Sequence, residues 1–140
     1  MKLTIRMFAV LAAIALAVPG SHAQTLTGAQ AQKSPQAEVF LAFEKALIAG
    51  GIDAASPHMT PKKLAEMKSE LKQYGEAAYK QFVEQMRSGP QGEARRKLID
   101  KVEVKGEYAE LDVRDRPSDV AVSAVFLART KDGWKVDVRR

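Results

Sequence analysis

Residues 130–140 read TKDGWKVDVRR, and this stretch decides the fold class. Thr130-Lys131-Asp132-Gly133 is a run of turn formers in which Gly133 is free to take positive φ, so it reads as a hairpin loop. After it Trp134, Val136 and Val138 alternate with Lys135, Asp137 and Arg139, the period-2 pattern of a strand apolar on one face and charged on the other. A hairpin needs an upstream partner, and VAVSAVFLA, residues 120–128, supplies it. Both faces of that partner are apolar. Val120, Val122, Ala124 and Phe126 are taken as the side that joins Trp134 in the interior. Ala121, Val125 and Leu127 then form a second apolar face that wants cover of its own.

Working outward, 98–114 continues the period of two. Leu98, Val102 and Val104 read as one strand, Gly106-Glu107 as a turn, and Ala109, Leu111 and Val113, alternating with Glu110, Asp112 and Arg114, as the next strand. Arg116-Pro117-Ser118-Asp119 is a connection, because proline does not sit in mid-sheet. The sheet therefore has about four antiparallel strands.

Upstream of residue 93 the period is helical. Ser34-Pro35 is a start signal: the serine hydroxyl caps orphan amides, and proline at the first helical position forfeits no hydrogen bond. Val39, Phe40, Phe43, Ala46 and Leu47 form one stripe, and Gly50-Gly51 ends the helix. Thr60-Pro61 repeats the start signal. Leu64, Met67, Leu71, Tyr74 and Ala78 form a second stripe, which Tyr79, Phe82, Val83 and Met86 extend. Gly75 inside it predicts a kink or a break. Helices followed by strands, without a repeat, predict an α+β domain: two to three N-terminal helices packed on one face of a curved antiparallel sheet.

The N-terminus reads as a targeting segment. Lys2 and Arg6 precede an eleven-residue apolar run, Phe8 to Val18, too short for the about 20 residues that cross a membrane. Pro19-Gly20 and Ser21-His22-Ala23 then give the break and the small residues of a cleavage site. Residues 1–23 are expected to be a signal peptide, 24–33 (QTLTGAQAQK) a flexible polar leader, and 34–140 one domain. The expected location is periplasmic or secreted, with no stable membrane anchor.

The chain has no cysteine, which removes disulfides and thiolate chemistry. Its formal charge is +5; loss of Lys2 and Arg6 leaves 20 basic residues against 17 acidic ones, or +3. The charges are interspersed, so no nucleic-acid groove is expected.

SPQAEVFLAFEKALIAGGIDAASPHMTP (34–61) and ARTKDGWKVDV (128–138) together resemble the nuclear transport factor two-like, or cystatin-like cone, superfamily. The similarity is to an exported bacterial branch whose members are domains of unknown function. The first stretch carries an aromatic-bearing helix, a Gly-rich break and an Asp-x-Ala turn; the second carries the Gly-Trp-Lys-Val ending. The resemblance implies a bent sheet wrapped around a long helix, a pocket at the open end and a homodimer through the outer sheet face. The chain lacks an obvious hairpin between its helices, a departure that bears on pocket depth. The superfamily holds both isomerase- or dehydratase-type enzymes and non-catalytic binding domains, and fold does not choose between them.

Among candidate residues, His58 is the one histidine beyond the leader. It reads as a general base with Asp53 nearby, or as a solvated imidazole in a surface connection, and the second reading is preferred for want of partner geometry. Tyr79 is the other proton-transfer candidate. Asp100, Glu110, Asp112 and Asp137 are weighed as raised-pKa carboxylates; alternation puts the last three on the polar face, as solvated strand charges. Arg95-Arg96-Lys97 reads as a solvated cluster. With one histidine and no cysteine, neither a metal site nor a cofactor is expected. The pocket lining is expected to be Phe40, Phe43, Leu47, Tyr74, Phe82, Val122, Phe126 and Trp134, taking a small apolar ligand. The outward residues Ala121, Val125 and Leu127 are expected either to meet a second copy in a homodimer or to be covered by neighbouring loops or the 24–33 leader. The function favoured is an exported, non-enzymatic small-ligand-binding or protein-assembly domain. The alternative is an isomerase- or dehydratase-type enzyme using a pocket His or Tyr.

Overall fold

The computed structural model describes residues 23–140. Its elements are β1 (Gln24–Thr27), α1 (Gly28–Gln32), α2 (Pro35–Ala55), one 3-10 turn (Ser56–His58), α3 (Pro61–Tyr74), α4 (Glu76–Ser88) and α5 (Glu93–Arg96). The sheet strands β2 (Ile99–Lys105), β3 (Tyr108–Val113), β4 (Ser123–Thr130) and β5 (Gly133–Asp137) follow. Five antiparallel strands lie in the order β1-β2-β3-β4-β5, and the helices pack on one face. The α+β class holds, with an open sheet that is not closed into a barrel.

Local chemistry sets the helix boundaries where the sequence placed them. The Ser34 hydroxyl accepts from the Ala37 amide at 3.1 Å and donates to the Ala31 carbonyl at 2.7 Å, with Pro35 opening α2. Thr60 caps α3 by accepting from the Lys63 amide at 3.2 Å, with Pro61 first in the helix. Gly75, at φ 87°, separates α3 from α4. Gly51 behaves differently from expectation. At φ 78° and ψ −164° it kinks α2, which then resumes for a last turn that buries Ile52 and Ala55. That backbone region belongs almost entirely to glycine.

The stretch read as a flexible leader is ordered. Residues 24–27 pair with β2, and Leu26 lies opposite Val102 on the helix-facing side. Ala31 in α1 is fully buried. Four strand residues are too few for a period-2 signal to stand out from a polar run, which is why 24–33 reads as leader.

The faces of β4 are the reverse of the sequence expectation. Ala109 and Leu111 pair with Leu127 and Val125, and Leu127 also pairs with Val136. Leu127 is 0% exposed, and Val125 packs against both halves of the core. Phe126 and Ala124 therefore point to the outer face, while Val122 lies in the connection before β4 and is exposed, as is Val120. A one-residue error in facing transfers every side chain to the other side. With both faces apolar, only the unambiguous partners in β3 and β5 settle which faces inward. The surface assigned to a second copy through Val125 and Leu127 is thus interior.

The core has two parts. Phe40, Leu98, Ile99, Val102, Leu111 and Leu127 anchor the first, between α2 and the sheet, and Trp134 packs on it partly buried. Phe43, Leu47, Ile52, Met59, Met67 and Val136 form the second, at the α2 kink. In Gly51→Ala, a methyl group is forced into a conformation that only glycine adopts comfortably. Urea denaturation is expected to show a loss of about 1–3 kcal/mol with an unchanged m-value.

Candidate functional site

A groove of about 810 Å³ lies on the helical side, away from the sheet. Its floor is the outward face of α2, where Leu41, Ala42 and Ile48 are half-buried. Phe82, Gln85 and Met86 of α4 form one wall. The loop Gly89–Gly92, with Arg95, Arg96 and Asp115, closes one end. A smaller depression of about 220 Å³ lies between α3 and α4, lined by Met67, Leu71, Tyr74, Ala78 and Tyr79. Phe82 borders both.

Two arginines on the short helix α5 brace the groove. Arg95 donates from Nε and Nη2 to both oxygens of Glu44, at 2.7 and 3.0 Å, and from Nη1 to the Arg114 carbonyl at 3.0 Å. Its guanidinium also lies over the Phe40 ring, 5.4 Å from the centroid. Arg96 pairs with Glu38 and with Glu93, and donates to the Gln32 carbonyl at 2.7 Å. The Arg96 guanidinium holds the Glu38 carboxyl below its usual range. On α4, Arg87 reaches the Ile48 carbonyl at 3.1 Å. Reading Arg95-Arg96-Lys97 as a solvated cluster was therefore wrong for its first two members. Adjacent arginines look alike in sequence, and the α2 glutamates that claim them, Glu44 and Glu38, are 51 and 58 residues away.

The expected pocket lining is not brought together. Phe40 and Leu47 are core residues and Phe43 sits in the second cluster. Tyr74, 68% exposed, stands at the rim of the small depression. Val122 and Phe126 are elsewhere, and Trp134 packs on the sheet side. Only Phe82 borders the large groove. Ala121 is exposed in the β3–β4 connection.

The proton-transfer candidates are also apart from the groove. His58 occupies the 3-10 turn, half-buried, and its side chain makes no hydrogen bond to any described residue. The Tyr79 hydroxyl is buried with no hydrogen-bond partner among the described residues, close to where a Cβ on Gly51 would stand, at 3.6 Å. Burial raises its pKa; the neighbouring Ile52 amide offsets this only partly and falls short of satisfying the oxygen. Among the described residues no group of three or more His, Asp or Glu is arranged to hold a metal ion. No described helix is long and apolar enough to cross a membrane.

Asp137, expected to be a solvated strand charge, is 5% exposed. One carboxylate oxygen accepts from the Thr60 hydroxyl at 2.7 Å and the other from Arg140 at 2.9 Å. Burial pushes its pKa up, but the hydrogen bonds from Thr60 and the Val138 amide, together with Arg140, outweigh it and hold the carboxyl below its ordinary value. The strand alternation gave no warning, because β5 is an edge and the cover comes from residues 59–60 and 140. Asp100 is likewise engaged, by Arg114 at 2.8 Å, and Asp112 by Lys101 at 3.1 Å.

The chain matches no protein-family model, no curated protein and no solved structure.

Tyr79→Phe removes an unsatisfied hydroxyl, so thermal unfolding should show a stability unchanged or raised by up to about 1 kcal/mol; a clear loss would reveal a hydroxyl partner. For Asp137 the folded pKa is depressed, so its contribution is complete above the unfolded value near 3.8 and is lost as pH falls through the folded value. Asp137→Asn should cost about 1.5–3 kcal/mol at neutral pH. It should also flatten the acid limb of the Tm-versus-pH curve below about pH 4.

Proposed function

We propose that the chain is an exported, non-enzymatic domain that binds a small amphiphilic ligand in the α2/α4 groove. In this reading it is a divergent relative of the nuclear transport factor two-like superfamily, processed after Ala23. The observation that carries the binding role is the groove itself. At about 810 Å³ it lies within the range of ligand sites, and it sets apolar side chains on α2 and α4 among polar ones, most of the charged ones already paired. Neither Tyr79 nor His58 borders it. A tyrosine whose pKa is raised is also a poorer base near neutral pH, since less of it is ionised. Both points favour binding over the isomerase- or dehydratase-type alternative.

Native mass spectrometry of the mature protein, purified from periplasm without detergent, tests this. The expected spectrum contains a co-purifying small molecule whose occupancy falls in Phe82→Glu. An empty protein that also shows no mass shift with a panel of amphiphiles would overturn the reading.

A further inference from the structure

We infer that the α2/α4 groove selects uncharged, elongated amphiphiles and discriminates against charged ones. This rests on the binding role proposed above and names its ligand class. The inference comes from a census of the charges around the groove. Glu44 is claimed by Arg95 through two hydrogen bonds, and Glu38 and Glu93 are both claimed by Arg96. The remaining charged groups on the lining are Lys45 and Asp115, which are exposed, of opposite sign, and in no ion pair among the described residues.

Apart from Lys45 and Asp115, whose pairs in open solvent are worth little, a charged headgroup has nothing in the groove to pair with unless it displaces a resident partner. The side chains of Arg95 and Glu44 are only 16% and 15% exposed, so an anion that captured Arg95 would strand Glu44 in a poorly solvated site. It would also pull Arg95 from the Arg114 carbonyl. A cation that captured Glu44 would strand Arg95 in the same way. Leaving one partner of a shielded pair uncompensated costs more than a new pair returns. An uncharged headgroup avoids the exchange, because the Gln85 amide and the Gln91 carbonyl end offer neutral hydrogen bonds at the wall and mouth.

The shape of the ligand follows from the floor. Leu41 and Ile48 lie seven residues apart on one helix, which places them about 10 Å apart along its axis. With Phe82 along the wall, they form a strip suited to a short alkyl chain.

Calorimetric titration of the mature protein with three octyl probes, each below its micellar threshold, tests the inference. The probes are octyl glucoside, octanoate and octylammonium, at low and high sodium chloride. Octyl glucoside should bind at least about tenfold more tightly than either charged probe, with a Kd indifferent to salt. Phe82→Glu and Ile48→Glu should each weaken it about tenfold with unchanged circular dichroism, while Lys62→Ala, on α3 and outside the groove, leaves it unaltered. Phe82 is already 47% exposed, so its replacement does not threaten folding. Tighter, salt-sensitive binding of octanoate or octylammonium overturns the charge selection while leaving the binding role intact. Octyl glucoside binding that both glutamate variants leave unchanged overturns the assignment to this groove. Failure of all three probes to bind the folded protein overturns the binding role and the inference together.

Discussion

Thr60 uses one hydroxyl twice: it accepts from the Lys63 amide at the start of α3 and donates to the carboxylate of Asp137 in β5. Beside it, the Thr60 amide donates to the Val136 carbonyl at 2.9 Å, and Met59 makes a parallel bridge with Val136. The edge of β5 is thereby interrupted at Val136, which takes one of its backbone carbonyls out of reach of another strand. The same residues fix where α3 begins. A helix cap and an edge cover would each be unremarkable alone; sharing a hydroxyl makes the position of the helical hairpin depend on the register of the last strand. Arg140 completes the joint, holding the second oxygen of Asp137 and lying over the Tyr108 ring on the outer sheet face.

From that joint the hairpin of α3 and α4 extends, held mainly by half-buried side chains, Leu64, Leu71, Tyr79 and Met86, packed on the second cluster. Met67 is the one buried residue of α3 and Val83 the one buried residue of α4. At the turn, Tyr74 is mostly exposed. The hairpin therefore touches α2 near its kink and leaves the middle of α2 less covered, which is why Ile48 and the exposed side of Leu41, whose other side packs on the first cluster, form the floor of a groove. The kink at Gly51 and the groove are linked through Tyr79 and Met86, both packed on the second cluster where α2 bends.

What could be read from the sequence was local. Ser34-Pro35, Thr60-Pro61, Gly75 and the hairpin at 130–133 each carry their chemistry within four residues, and the structure uses all of them as turn or cap. What could not be read depends on distant partners. The inward face of β4 is chosen by Ala109 and Val136, Arg95 is claimed by Glu44 across 51 positions, and Asp137 is buried by Thr60 across 77. The expected pocket lining failed for the same reason. Apolar periodicity identifies the side of an element that wants cover, but it does not say whether the cover is core or cavity. The groove lies on the weaker side of α2, where Leu41 and Ile48 fall outside the stripe of Phe40, Phe43 and Leu47.

The two arginine braces differ in what they contribute, and the difference bears on the groove. Glu38 leaves 58% of its side chain in solvent, so its pair with Arg96 belongs to the class worth about 0.2–1 kcal/mol. Arg95 and Glu44 are shielded, doubly hydrogen-bonded and joined to the Arg114 carbonyl and the Phe40 ring. Removing one partner there leaves the other uncompensated, at a cost of about 3 kcal/mol. Because α5 is only four residues long, helix formation contributes little to its placement, and Arg95 is what fixes it against α2. The closed end of the groove is thus an electrostatic construction, whereas its floor and wall are hydrophobic. On the binding role we propose, a pair that is costly to break keeps the site in shape while a ligand of no charge comes and goes.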